Sequence, residues 1–285
     1  MRHIGQVDAL HERLELPRGQ IHLWMATCSE IEPALFERYR QELLCEEERA
    51  IESTFHFAHD RRQYLITRAL VRCVLSRYSL RAAADWRFGK TAHGRPTILC
   101  PSDEERELSF NISHGAGVVL VGVMKGGQLG IDTESYERRD DFVAIGQRCF
   151  TADEVSTLDR LAPAQRWQRY VGYWTLKEAY VKATGAGLAT ALDCFGFRMP
   201  DDERIDCRFD DPAQQAAGWH FSLLEPNLTH VAAVCCSGHG DGAPHLLLRR
   251  ICPLASEYFA DFTCLARSVR MPTAGPVHFL KSQNP

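Results

Sequence analysis

Two short acidic motifs carry the residue types that could handle phosphate. They are Gly130-Ile131-Asp132-Thr133-Glu134 and, 40 residues on, Trp174-Thr175-Leu176-Lys177-Glu178-Ala179-Tyr180-Val181-Lys182. Three carboxylates and a lysine brought together would hold a divalent cation and the phosphate oxygens it binds, because hard cations take oxygen ligands and an ammonium screens anionic charge. The apolar run Val118-Val119-Leu120-Val121-Gly122-Val123 and the turn-like Lys125-Gly126-Gly127 precede the first motif, so residues 129–134 read as the second strand of a hairpin. Side chains alternate along a strand, which sets Asp132 and Glu134 on one face about 7 Å apart at Cα and turns Ile131 to the other.

Glu178 stands in a different setting. Trp167, Tyr170, Val171, Trp174 and Val181 recur at helical spacing and predict a core-facing stripe on which Glu178 falls. A carboxylate among aromatics needs a metal or a basic partner, since burying its charge alone is costly. Lys182, one helical turn later, serves either as that partner or as a hand extended to a phosphate. A plain Glu178–Lys182 helix pair beside two solvated strand acids is the competing reading of the same residues.

The elements that must position these groups fall into two halves. Residues 1–127 form an amino-terminal lobe with a strand near 21–26, helical stretches to about 75, and strands near 108–112 and 118–124. Residues 128–237 form a second lobe carrying the acids. It has a helix capped by Thr151 with Glu154 completing a capping box, a long helix to Thr184, and strands near 219–223 and 230–235. Residues 238–285 are a linker and a carboxy-terminal extension, in which 246–250 reads as a strand and 257–265 as a helix.

The two motifs, in this order and spacing and continued by Ala183-Thr184-Gly185-Ala186-Gly187-Leu188, closely resemble the signature of the 4'-phosphopantetheinyl transferases, in the monomeric two-lobed class. Residues 46–57 and 60–75, Gly94-Arg95-Pro96, Phe110-Asn111-Ile112-Ser113-His114 and Phe150-Thr151-Ala152-Asp153-Glu154 fit the same family, and the likeness spans roughly residues 20–237. It implies an α+β pseudo-dimer of two similar lobes, each with a small antiparallel sheet packed against a long helix, and a cofactor cleft between them. It implies a magnesium-dependent enzyme that moves the phosphopantetheine arm of coenzyme A to a serine of an apo acyl or peptidyl carrier protein, releasing adenosine 3',5'-bisphosphate. On that resemblance Asp132, Glu134 and Glu178 hold Mg2+, with Glu178 as ligand, general base or both, and Lys182 lies on a phosphate oxygen. Arg62, Arg95 and His114 hold the nucleotide end, with Ser113 donating nearby; the pattern admits Arg61 in place of Arg62.

The chain departs from the family pattern at three places. Gly115 follows the histidine and offers only backbone, Ser135 follows the acidic motif with Arg138 and Arg139 arriving later, and Glu46-Glu47-Glu48 stand where some members place phosphate-reaching lysines. None touches the metal acids. A different magnesium phosphotransferase or nuclease, and a coenzyme A or carrier-binding protein without turnover, are the other readings. Neither a Gly-x-x-x-x-Gly-Lys-Ser/Thr loop nor a basic balance supports the former.

Composition agrees with a soluble enzyme: 285 residues, 45% hydrophobic, suffice for one large core or two smaller ones. A net charge of −4 gives no reason to expect nucleic acid. No apolar run reaches the roughly 18 residues that a membrane span requires. The opening Met1-Arg2-His3-Ile4-Gly5-Gln6-Val7-Asp8 lacks a secretory apolar stretch, so a cytoplasmic location is expected, and the family resemblance implies a monomer. Eleven scattered cysteines without a Cys-x-x-Cys read as reduced side chains.

Overall fold

A computed structural model describes residues 13–137, 149–187, 191–201, 203–216, 218–238 and 242–268. The amino-terminal residues read for a leader, Arg138 and Arg139, Leu188, and parts of the proposed linker and tail lie outside the described residues. The chain runs through β1 (Gln20–Thr27), α1 (Pro33–Arg38), α2 (Glu46–Ser53), α3 (Ala58–Ser76), the small hairpin β2 (Phe88–Lys90) and β3 (Pro96–Ile98), α4 (Asp103–Arg106), β4 (Leu108–Gly115) and β5 (Val118–Lys125). It continues through β6 (Gln128–Ser135), α5 (Ala152–Arg160), α6 (Pro163–Thr184), β7 (Phe195–Arg198), β8 (Arg204–Phe209), α7 (Pro212–Ala216), β9 (His220–Asn227), β10 (His230–Ser237), β11 (His245–Cys252), β12 (Ser256–Ala260) and β13 (Thr263–Ser268).

These elements make an α+β molecule of two lobes. The first sheet has the order β12-β11-β1-β5-β4 and the second β6-β10-β9-β13-β8-β7. The central strands are apolar at almost every position because both of their faces are covered. On β1, Trp24 and Ala26 face the core under α3, while Ile21, Leu23 and Met25 face the other sheet. β5 alternates likewise, with Val119, Val121 and Val123 toward α3 and Leu120 and Met124 toward the seam. In the second lobe Tyr173, Leu176 and Tyr180 of α6 pack on Phe197, Phe221 and Val231. The seam between the sheets is closed by Leu129, Ile131, Val234 and Cys236. All eleven cysteines are free thiols.

The two halves repeat one plan. The antiparallel run β1-β5-β4 with α2 and α3 corresponds to β6-β10-β9 with α5 and α6. Each shorter helix begins with a glutamate bonded back to its own N-cap amide, Glu48 to Cys45 and Glu154 to Thr151. Each of those glutamates is buried on a base from the following long helix, Glu48 on Arg72 and Glu154 on Lys177. The segments that begin at Cys45 and Thr151 are therefore equivalent parts of a structural repeat.

Three expectations are corrected. β5 and β6 are not a hairpin: β6 pairs with β10, opposing Asp132 to Ala233, and the Gly126-Gly127 turn carries the chain from one sheet to the other. The sheets are mixed, since β11 lies parallel to β1 and β13 parallel to β8. Residues 257–265 do not form a helix. β12 and β13 take them up instead, as ladders on β11 and β9 outweigh a local apolar spacing that fits either period. The segment after Ser237 thus supplies strands to both sheets.

Candidate active site

The seam ends in a cleft of about 980 Å3, walled by α2, α3 and the β2–β3 hairpin on one side and by the last turns of α6 on the other. Its geometry starts from an unusual edge. β6 and β4 are both edge strands, and they lie side by side without a backbone ladder. Side chains of the first lobe replace that ladder at alternate residues of β6. Arg95 Nη2 donates to Leu129 O (3.0 Å), Ile131 N donates to Asn111 Oδ1 (3.0 Å), and Thr133 N donates to Ser113 Oγ (3.1 Å). Buried backbone groups need partners, and here the partners hold two lobes in register.

Gly130 explains how α6 comes so near. A Cβ at this position would lie 2.0 Å from Ala179 O and 2.3 Å from Ala183 N, so only glycine lets β6 meet the helix backbone. This contact brings Asp132 beneath Lys182. The buried Asp132 accepts on Oδ1 from Lys182 Nζ (2.7 Å) and from Ser113 Oγ (2.8 Å), and Lys182 also donates to Ser113 Oγ (3.0 Å). Asp132 Oδ2 is buried without a hydrogen-bond partner. Glu134, next on the same face, accepts from Trp174 Nε1 at 3.3 Å.

Glu178 and Lys182 line the cleft. They do so from the flank of α6, because the fully buried stripe runs through Tyr173, Leu176, Lys177 and Ala183, and Trp174 and Glu178 are only half-buried. Burial first, and then the Asp132 carboxylate, push the Glu178 carboxyl above its ordinary value of 4.5 against the pull of Lys182. Lys182 reaches across to Asp132 and Ser113, which replaces the helix pair that sequence alone left open.

Among the described residues no group of three or more histidine, cysteine and acidic side chains is gathered closely enough to form a ready-made metal cage. The donor chemistry nevertheless suits a hard cation. A buried, unpartnered carboxylate oxygen on Asp132 and a second carboxylate near enough to raise its neighbour's pKa are both relieved by a divalent ion.

The residues expected at the nucleotide end divide. His114 lines the cleft, and Gln63 bonds its Nδ1 at 2.6 Å. Its side chain keeps solvent access, yet protein surrounds it on the cleft side. That desolvation, followed by the Lys182 ammonium, lowers its pKa below 6.5 and keeps the ring neutral at pH 7. With the Gln63 amide donating to Nδ1, Nε2 carries the hydrogen and is the ring's remaining donor. Arg62 is not in the cleft: it is exposed, with its guanidinium over the Phe36 ring at 5.7 Å. Arg61 likewise turns away and donates to Phe55 O. Asp60, Gln63, Tyr64, Thr67 and Arg68 form the cleft-facing side of α3, and its 3.6-residue period sends 61 and 62 elsewhere. The Ser113 hydroxyl accepts from Thr133 N and Lys182 and donates to Asp132, so it is used within the seam. The Arg95 guanidinium also rests on protein, on the carbonyls of Lys182 (3.1 Å), Ala183 (2.9 Å) and Leu129.

Sequence reasoning missed Gln63, and also Arg87 and Lys90, which bring cations to the end of the cleft where α2 offers glutamates. It missed Lys177 too, within the quoted motif. Lys177 is fully buried, donates to Leu192 O (2.7 Å) and Phe195 O (2.6 Å), and pairs with Glu154 at 3.0 Å. Its neighbour in the chain points into the cleft while Lys177 locks the helix from behind. The signal was present in the repeated capping-box glutamates.

A two-lobed α+β fold with acids and a lysine at an inter-lobe cleft defines a phosphate-handling transferase class, and comparison with known proteins places the chain within it. A family model described as 4'-phosphopantetheinyl transferase superfamily matches residues 128–235, and one described as 4'-phosphopantetheinyl transferase, N-terminal, matches residues 24–125. The chain is 31% identical to the 4'-phosphopantetheinyl transferase HetI of Nostoc sp., over 80% of this chain and 92% of that protein. It is 28% identical to a phosphopantetheinyl transferase of Thraustochytrium sp., over 82% and 86% respectively. Among solved structures it is similar to a holo-(acyl-carrier-protein) synthase from Bacillus anthracis, at 19% identity and a TM-score of 0.34, over 39% of this chain and 94% of that one. The chain belongs to the 4'-phosphopantetheinyl transferase superfamily.

Proposed function

We propose that the protein transfers the 4'-phosphopantetheine arm of coenzyme A to a serine hydroxyl of an apo acyl or peptidyl carrier protein. The observation that carries this reading is the meeting of Asp132, Lys182 and Glu178 at one end of a cleft large enough for a nucleotide cofactor. In the reaction the serine oxygen forms a bond to the β-phosphorus, the bond from that phosphorus to the bridging oxygen breaks, and adenosine 3',5'-bisphosphate leaves with the electron pair. Glu178, whose surroundings raise its pKa, accepts the serine proton. The Lys182 ammonium, held by Asp132 and Ser113, presents a fixed positive charge to a phosphate oxygen. His114 offers Nε2–H to the 3'-phosphate, oriented by Gln63.

Asp132, Glu134 and Glu178 would hold Mg2+, which when bound neutralises diphosphate charge. A cytoplasmic enzyme acting as a monomer belongs to the same proposal; a site drawn from both halves of one chain supports the second point.

The test is incubation with coenzyme A, magnesium and an apo carrier protein, read by intact mass. A carrier that gains the arm while the bisphosphate appears supports the proposal. Binding of coenzyme A without a mass gain points to a carrier-binding protein, and turnover of other phosphate esters alone points to a different phosphotransferase; either result sinks it.

A further inference from the structure

Arg95 occupies the turn of the β2–β3 hairpin. There Thr91 N bonds to Arg95 O (2.9 Å), Gly94 N bonds to Thr91 O (2.9 Å), and Gly94 has φ +83°. The turn aims the side chain across the seam. Three of its five N–H donors go to main-chain carbonyls of the second lobe, two from Nη1 and one from Nη2. Two of those carbonyls, of Lys182 and Ala183, belong to the last turn of α6, which helix geometry leaves without internal partners. Val181 O of the same turn is taken by the amide of the left-handed Gly185. The third, of Leu129, is on the open edge of β6, three residues before Asp132. A cation at a helix C-terminus is also favoured by the helix dipole.

We propose that Arg95 is an inter-lobe latch, a positioning residue that fixes the end of α6 and the edge of β6 against the first lobe, and is not a phosphate ligand. One guanidinium ties together the strand that carries Asp132 and the helix that carries Glu178 and Lys182. Three of its donors are committed to second-lobe carbonyls, so the guanidinium could turn away to a phosphate only by breaking those bonds. The kinetic consequence rests on the transfer reaction proposed above, whereas the structural consequence does not.

Arg95→Ala, Arg95→Lys and His114→Ala are compared in single-turnover transfer from coenzyme A and from 3'-dephospho-coenzyme A, and by hydrogen exchange of the cofactor-free protein. Arg95→Ala is expected to slow the saturated step about 100-fold with both cofactors, the scale that follows a small misplacement of reacting groups, and to leave the preference between them unchanged. His114→Ala should reduce that preference. Arg95→Lys keeps the charge but not the fork, so it should not restore the rate. In the cofactor-free variants the amides of Gly94 and Gly185, on opposite lobes, should lose protection together.

A collapse of the cofactor preference in Arg95→Ala, rescue by lysine, or unchanged exchange at both amides would each overturn the latch. If Arg95→Ala does not fold, Arg95→Lys serves for the same comparisons. Wild-type protein that transfers from neither cofactor would overturn the functional proposal instead, and the exchange result would then decide the latch alone.

Discussion

Glu178, the proposed general base, carries a cost to its own fold. Its carboxyl is raised above 4.5 by burial and by Asp132, so the folded state binds that proton more tightly than the unfolded chain does. The ionised form therefore costs stability, a penalty absent below pH 4.5 that builds as pH rises through the folded value. Glu178→Gln should accordingly melt higher than wild type near pH 7, and the difference should shrink toward zero near pH 4. In the same variant single-turnover transfer should fall by about 10²- to 10⁴-fold, the range for loss of a general base, while coenzyme A affinity is retained. Thermal unfolding against pH, run beside transfer and binding assays, checks both halves. If excess magnesium restores the rate, Glu178 acts chiefly as a ligand. Asp132→Ala should nearly abolish transfer with the fold intact, because it removes the acceptor that holds Lys182 and a proposed metal ligand. Full turnover by folded D132A at limiting magnesium would end that assignment.

At the scale of elements, the β6–α6 contact and the buried base behind α6 set where the site groups sit. Gly130→Ala would place a methyl 2.0 Å from Ala179 O, which must part strand from helix. It should destabilise by roughly 3 kcal/mol, at the upper end of overpacking costs, and slow transfer beyond what stability explains. Denaturant titration and rates measured well below the unfolding midpoint separate the two effects. Lys177→Met strands Glu154 as a buried charge and should cost about 3 to 5 kcal/mol. Adding Glu154→Gln should return a large part of it, since glutamine still accepts from Phe197 N at the Oε1 position (2.9 Å). Strict additivity in that double-mutant cycle would show that the pair is not coupled.

For the molecule as a whole, the last strands bind the lobes into one body. β11 lies between β1 and β12, and β13 between β9 and β8, with Leu248, Ile251 and Ala266 buried. Buried Glu257 also pairs with Arg77 of the first lobe at 3.0 Å and with Arg249 at 3.5 Å. A chain ending at Ser237 would expose the edges of β1 and β9 and leave Arg77 without this carboxylate. It should lose its cooperative unfolding transition and aggregate. A truncated chain that stays soluble and unfolds in one sharp transition would show that β11 to β13 are dispensable.

The residues and their local periods were enough to find most elements, and the resemblance of the two motifs was enough to find the superfamily. Asp132 and Glu134 share a strand face because alternation is a local property, and Glu178 and Lys182 share a helix face for the same reason. The capping box at Thr151 and Glu154, and the strands at β4, β5, β9, β10 and β11, were legible on the same grounds. Pairing was not legible. The Gly126-Gly127 turn looks like a hairpin in sequence, and only the packing of two sheets decides that β6 joins β10. Residues 257–265 fit both periods, and long-range ladders chose strand. Arg62 was misplaced because a motif fixes position along a helix but not the direction in which the cleft lies. Arg95 and Ser113 have the right chemistry for a phosphate, and nothing in the sequence tells that unpaired carbonyls and amides of another lobe lie closer. Local geometry is written in spacing, whereas a hydrogen bond across a seam depends on where two distant surfaces come to rest.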